Sequence, residues 1–256
     1  MTDGSLRLAI TLGLLSLFVV LEYVVPARRS VLDMRRTVRQ AGMALIGSVL
    51  ARLALGGGLA CVATYADAHA LGVFNQISWP MWAAIVLSFL ALDLAIWAQH
   101  LALHRLPFLW RLHRVHHSDT AMDVSTALRF HPLEILLSLG LKVIIVMMLG
   151  APAVAVFAFE IALGAGALFN HANIALPNWL ERPLRVFFVT PALHLIHHSP
   201  DPIETNSNYG FSFSFWDRIF RTYRGVRLDA DGLIGLETWR RGEDQKLAAM
   251  LLGPFK

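Results

Sequence analysis

Cysteine is nearly absent from this chain of 256 residues; the single one, Cys61, stands in an apolar stretch. One cysteine excludes an intrachain disulfide and any multi-cysteine zinc or iron–sulfur site, so metal chemistry here must use nitrogen or oxygen ligands. Charge is scarce as well: Asp, Glu, Lys and Arg make up 16% of the residues against 56% hydrophobic, too apolar for a typical soluble domain of this size. The H-E-x-x-H pattern of zinc hydrolases is missing. No A-x-A cleavage pattern follows the first apolar run, which is therefore expected to stay as a helix and not to be a signal peptide. No linker, repeat or low-complexity segment divides the chain. The net charge of +4 comes mostly from arginines gathered between apolar runs, which makes it a topology signal; no nucleic-acid partner is expected.

What fills the chain instead is lipid-length apolar sequence. Runs at 6–25, 43–65 and 79–98 are long enough to cross a bilayer at about 1.5 Å per helical residue. The second is weakened by Arg52 and by Gly56-Gly57-Gly58, and the third opens on Trp79 and Trp82 as interfacial anchors. Two shorter runs, 133–149 and 152–170, meet near Gly150-Ala151-Pro152 and read as a helical hairpin or a re-entrant pair. The expected fold is all-α: a multi-pass membrane protein with about 4–5 spans or half-hairpins and a cytoplasmic helical cap. It divides into N-terminal membrane helices (1–84), a second region (85–225) that holds the remaining apolar runs, and a tail (226–256), all one structural unit.

Arginine sets the direction, because cytoplasmic loops are enriched in Lys and Arg. Arg28, Arg29, Arg35, Arg36 and Arg39 follow the first run, Arg105, Arg111, Arg114 and Arg129 follow the third, and 66–80 contains no Lys or Arg. Residues 27–40, 101–131 and 172–256 are therefore expected in the cytoplasm, with the polar end of the tail folding over that face.

The histidines are clustered. His100 and His104 form H-x-x-x-H; His113, His116 and His117 form H-x-x-H-H, and so do His194, His197 and His198. On a helix, residues at i, i+3 and i+4 share a face with Cβ atoms roughly 5–6 Å apart, so each cluster is expected to converge on a shared ion. With His171, which closes the fifth run, all nine map to the arginine-rich side, although arginines alone set the topology. Thr190-Pro191 supplies a helix start ahead of His194, and Pro200 a stop after His198. Eight or nine imidazoles exceed the three or four ligands of one zinc and suit two ions, and nitrogen ligation by itself does not choose among iron, copper and zinc.

At these residues the chain resembles the sterol desaturase/fatty acid hydroxylase superfamily. The resemblance rests on H100-L-A-L-H104, H113-R-V-H-H117 and H194-L-I-H-H198, and continues into H131-P-L-E134, F169-N-H-A-N173, N208-Y-G and F215-W-D-R-I-F220. It covers roughly residues 85–225 and is specific in combination. It implies a non-haem di-iron enzyme that uses dioxygen and electrons from a separate ferredoxin, cytochrome or reductase to hydroxylate or desaturate a C–H bond of a lipid. Carried over by position, His100, His104, His113, His116, His117, His194, His197 and His198 are metal ligands and His171 a ninth. Ala167 stands where some members have a further histidine. Beyond the ligands, His131, Asp119, Glu134, Asp201 and Asp93 are expected to support them, since carboxylates commonly orient metal-bound imidazoles through the other ring nitrogen.

Plainer roles fall to other residues. His69 is expected to be structural, Trp97 and Trp216 to anchor the interface, and Gly164 and Gly166 to allow close helix packing. The competing function is a membrane metal-binding or metal-transport protein, which would want ligands strung along a path through the bilayer.

Overall fold

The computed structural model describes residues 3–29, 33–226 and 232–256; residues 30–32 of the first arginine-rich segment and 227–231 of the tail lie outside the described residues. The helices are α1 (Asp3–Val24), α2 (Met34–Ala54), α3 (Gly58–Ala68), α4 (Val73–Gln76), α5 (Met81–Arg105), α6 (Pro107–His117), α7 (Pro132–Leu149) and α8 (Ala153–His171). They continue as α9 (Asn178–Phe187), α10 (Pro191–His197), α11 (Pro202–Thr205), α12 (Phe215–Ile219) and α13 (Leu247–Leu252), with 3-10 turns at Val124–Leu128 and Gly253–Phe255. No strand forms among the described residues, only isolated bridges at Pro26–Ile174 and Phe188–Phe213. Among the described residues, five segments are long and apolar enough to cross a membrane.

Two boundaries differ from expectation, each for a local reason. The second apolar segment begins at Met34 and not at 43, because Asp33 accepts a hydrogen bond from the Arg35 N–H at 2.9 Å and caps a helix there. Arg35, Arg36 and Arg39 are thus helical rather than part of a loop. The same segment then breaks after Ala54, where the glycines interrupt it, and resumes as α3. The third segment runs on to Arg105, so His100 and His104 stand on the membrane helix itself. It stops at Leu106, which is extended (φ −98°, ψ 115°) because it precedes Pro107. Pro107 in turn opens α6, which places His113, His116 and His117 on a helix.

The 150–152 region is the turn of a helical hairpin. Gly150 ends α7 in the left-handed conformation (φ +65°) and Pro152 precedes α8. Gly150 lies so close to Gly72 that a Cβ on the latter would sit 2.0 Å from the Gly150 nitrogen.

The core lies where α3, α5, α7 and α8 meet, around Leu59, Leu92, Ile96, Val146, Val156 and Phe159. Large apolar side chains elsewhere remain exposed, among them Leu8, Leu12 and Val20 of α1 and Ile144 and Met148 of α7. Such a surface is stable against lipid and not against water. α1 packs on α8 and is fastened at its end by Glu22, which accepts hydrogen bonds from the Val124 and Asn173 amides, both at 2.7 Å. The tail returns to the histidine end: Met250 packs with Met43 of α2 and Val115 of α6, and the Gly235 amide donates to the His198 carbonyl at 3.1 Å. Gly235 is needed there, with φ +86° and a Cβ position 2.6 Å from the Asp119 carbonyl oxygen.

Candidate metal centre

Four elements bring the histidines together. The last two turns of α5 supply His100 and His104, α6 supplies His113, His116 and His117, the end of α8 supplies His171, and α10 with its cap supplies His194, His197 and His198. Thr190 caps α10 through the Leu193 amide at 3.3 Å, and Pro191 occupies its first position.

The rings form two groups: His100, His104, His113, His117 and His197 in one, His116, His171, His194 and His198 in the other. Within each, all potential ligand atoms lie within 4.8 Å of one another. The expectation that each sequence cluster converges on one ion is corrected by this arrangement. In both H-x-x-H-H motifs the pair four residues apart stays together, and the third histidine crosses to the other group. The helical reason is angular: i and i+4 differ by about 40° around the axis, whereas i+3 lies about 60° to the other side of i. Sequence neighbours therefore face different groups, with ring centroids 5.5 Å apart for His116 and His117 and 5.6 Å for His197 and His198.

Protonation follows from the second ring nitrogen. The Nδ1–H of His100 donates to the Tyr209 carbonyl at 2.8 Å, that of His113 to Glu134 Oε1 at 2.8 Å, that of His171 to the Ala167 carbonyl at 2.6 Å and that of His197 to the Ser207 carbonyl at 2.6 Å. A neutral imidazole has one N–H, so Nε2 of each of these rings carries a lone pair. Yet His100 Nε2 lies 3.0 Å from His113 Nε2 and 3.0 Å from His197 Nε2. With all three rings neutral, none donates to another. In the second group His171 Nε2 stands 3.0 Å from His116 Nε2 and 3.1 Å from His194 Nε2. Ligand atoms 3.0 Å apart match neighbouring positions around one ion with bonds of about 2.1 Å, the usual imidazole–metal length. His104 and His198, inside the groups, have neither ring nitrogen hydrogen-bonded. The donor set therefore fits transition-metal binding, and both groups could hold an ion.

Electrostatics point the same way. Burial first, then neighbouring imidazoles, hold His116, His117, His194 and His198 well below the ordinary histidine value. His197 is pushed down to about 3 by burial and then by His113. For these five rings burial favours the neutral form, which is the one that ligates.

Around the rings, the expected supporting residues divide. Glu134 bonds His113. Asp119 bonds no histidine; with Asp123 it takes up Arg36 of α2, whose Nη2 lies 2.6 Å from Asp119 Oδ2 and Nη1 2.5 Å from Asp123 Oδ2. Gln40 and Thr126 also donate to Asp119, at 2.6 and 2.8 Å. This buried knot fastens the chain just beyond His117 to α2. Asp201 caps α11 through the Ile203 and Glu204 amides. His131 caps α7: its Nδ1 accepts from the Leu133 amide at 3.2 Å and its Nε2–H donates to the Leu251 carbonyl at 3.2 Å. Asp93 accepts from Trp216 Nε1 at 2.9 Å. His69 caps α3 and stacks on Tyr65, far along the chain from either group.

Sequence reasoning missed Asp217, which organises the loop behind the rings. Its carboxylate accepts from Trp97 Nε1 at 3.0 Å, from the Tyr209 and Gly210 amides at 2.8 and 2.9 Å, and from the Thr222 hydroxyl at 2.6 Å. The peptide so fixed carries the carbonyl that orients His100. The tryptophans expected at the interface, Trp97 and Trp216, thus serve as hydrogen-bond donors to buried carboxylates. The W216-D217 pair in the sequence was the available signal.

An apolar cavity of about 310 Å³ meets the rings at His100, His113 and Glu134, with Phe130 and Phe211 in its wall. Gly164 lines it and has no atom within 4 Å of a Cβ position, so this glycine leaves room instead of bringing helices into contact.

A family model described as fatty acid hydroxylase matches residues 85–222, more than half of the chain. Among curated proteins, the chain is 34% identical over 159 residues to an ornithine lipid hydroxylase of Rhizobium tropici, covering 62% of this chain and 47% of that one. It is 30% identical to an alkylglycerol monooxygenase of Caenorhabditis elegans, over 57% of this chain and 28% of the relative. With the cholesterol 25-hydroxylase of Mus musculus it shares 28% identity, over 56% of this chain and 48% of the relative. The chain spans less than half the length of these relatives. No solved structure matches.

Proposed function

The chain belongs to the fatty acid hydroxylase family, and on that premise we propose that it is a multi-pass membrane oxidoreductase that hydroxylates or desaturates a C–H bond of a lipid with two iron ions, dioxygen and electrons from a separate donor. The observation that carries this reading is the pair of imidazole groups whose ring nitrogens crowd to 3.0 Å, the first of the two bordering a largely apolar cavity at His100 and His113. When bound, the iron pair supplies dioxygen activation and oxidation of an unactivated carbon.

The protein's part is positional. His100, His104, His113, His117 and His197 would hold one ion and His116, His171, His194 and His198 the other. Carbonyls of Tyr209, Ala167 and Ser207 and the Glu134 carboxylate lock four of these rings in their ligating tautomer. Phe130 lies flat against His116, ring centroids 4.3 Å apart, and with Phe211 gives the cavity an apolar wall beside the rings. The cavity admits an apolar chain and sets its carbon against the rings.

Arginines at the histidine end, and their absence at 66–80, support a cytoplasmic location for the site, where a soluble donor can reach it. All nine imidazoles gather at one end of the spans, which favours an oxidase over a transport path. Anaerobic purification with metal analysis tests this, together with lipid mass spectrometry of cells with and without the protein. Two irons per chain and a lipid gaining one oxygen, or losing two hydrogens, are expected. Iron-free protein under reducing conditions, or an unchanged lipid profile, would sink the proposal.

A further inference from the structure

The cavity beside the rings does not end in hydrocarbon. Its lining passes from His100, His113 and Glu134 at one end to Arg7, Lys142 and Glu160 at the other. All three of these charged residues lie in membrane-length helices: Arg7 in α1, Lys142 in α7 and Glu160 in α8. Lys142 is eleven residues into the chain from His131, at the start of α7, and Glu160 eleven residues before His171. At 1.5 Å per residue, each therefore stands about 16 Å from the histidine end.

Their charges do not cancel. Arg7 Nη1 donates to Glu160 Oε2 at 2.6 Å, so that carboxylate already has a cation. Lys142 feels the charge of the same carboxylate but makes no direct hydrogen bond to it, since Glu160 is taken up by Arg7. An ionisable side chain inside a membrane span is costly and is tolerated where it faces protein, a cavity or a ligand. With Lys142 protonated, the trio carries one positive charge in excess. Arg7 and Glu160 also line a second cavity of about 790 Å³ that contains Ser48, Arg52 and Thr64. The trio therefore stands between the ring-side cavity and a wider groove along α1, α2 and α3.

Resting on the function proposed above, we propose that Lys142, with the Arg7–Glu160 pair beside it, is the polar anchor of the substrate cavity. It takes an anionic oxygen group, carboxylate or phosphate, at the end of an alkyl chain. An anion there balances the excess charge, while the apolar stretch lined by Ile135, Leu163 and Gly164 takes the chain. The anchor then decides which methylene stands against His100 and His113: regiochemistry is counted from the charged end.

The test is competition binding to the purified full chain with hexadecanoate, hexadecyl phosphate and hexadecanol, iron content being measured in parallel. At least one anion should bind about tenfold tighter than the alcohol, and the preferred anion identifies the source of the group. Lys142→Met should abolish that preference and leave hexadecanol affinity unchanged, while Lys142→Arg keeps it. Gly164→Leu, which fills the cavity, should weaken all three ligands. Equal affinities in the unmodified protein, a preference that survives Lys142→Met, or indifference to Gly164→Leu would overturn the anchor. Lack of iron would sink the oxidase reading alone, because the binding comparison does not need activity.

Discussion

His113 and Glu134 face each other across α6 and α7, the Nδ1–H of the imidazole donating to carboxylate Oε1 at 2.8 Å while Oε2 has no hydrogen-bond partner. The bond leaves His113 Nε2 free to ligate and gives its ring a negative neighbour. Glu134→Gln keeps an acceptor but removes the charge, and should lower metal affinity by about 10–100-fold with little change in melting temperature. Glu134→Ala should lower it at least as much. Metal titration of the apo-protein, with a thermal melt as control, checks both; unchanged affinity in the alanine variant would refute the role.

Asp217 serves two backbone amides, an indole and a hydroxyl at once, with no exposure to solvent. Asp217→Ala leaves those donors buried without an acceptor, at about 1–3 kcal/mol for each one stranded. A fall in denaturation midpoint is expected, accompanied by loss of bound metal because the Tyr209 carbonyl no longer holds His100. Full metal content in a destabilised variant would separate the two effects and count against the link.

Arg36 and Asp119 are 83 residues apart in sequence and joined by two hydrogen bonds, at 2.8 and 2.6 Å. Burial alone would raise the Asp119 carboxyl, but its hydrogen bonds to Arg36 and the charge of Arg129 hold it below the ordinary range. Arg36→Met should cost about 3–5 kcal/mol, since it takes the hydrogen-bonded cation from a buried carboxylate, and adding Asp119→Asn should recover part of that loss. Denaturant unfolding of the two single variants and the double variant measures the coupling. Strict additivity would mean that the pair does not act as a unit.

Acid should release metal before it unfolds the rest of the chain. His197 has a folded value of about 3 against about 6.5 when unfolded, so the unfolded chain takes up the proton more readily. The stability this contributes is complete above about pH 6.5 and is lost as pH falls from there toward 3. Metal occupancy followed across that window should decline, and the apo-protein should show a falling melting temperature. A flat profile between pH 7 and 4 would contradict the buried, neutral state of the ring.

Much of the site was legible because the information is local. H-x-x-H-H spacing puts rings on one helical face, and Thr190-Pro191 and Leu106-Pro107 mark where α10 and α6 begin. What spacing does not specify is the partner across the bundle. Asp119, near His117 in sequence, was expected beside a ring and instead meets Arg36 from the other end of the chain. Lys142 and Glu160 were hidden for a different reason: one or two charges in an apolar run barely alter its hydropathy, and only packing shows that both line the same cavity. The second membrane segment was misplaced because Arg35, Arg36 and Arg39 look like loop residues until Arg36 is seen buried in an ionic knot.

His116 and His117 are joined by a peptide bond yet serve different groups, and His197 and His198 do the same from the opposite side. The separation between the two groups is therefore gauged by covalent geometry at both walls, and loosening of the surrounding helices would alter it little. Mutations in the bundle should consequently change how readily ions are loaded more than how far apart they lie once bound, leaving any magnetic or optical signature of the pair nearly constant while its intensity falls.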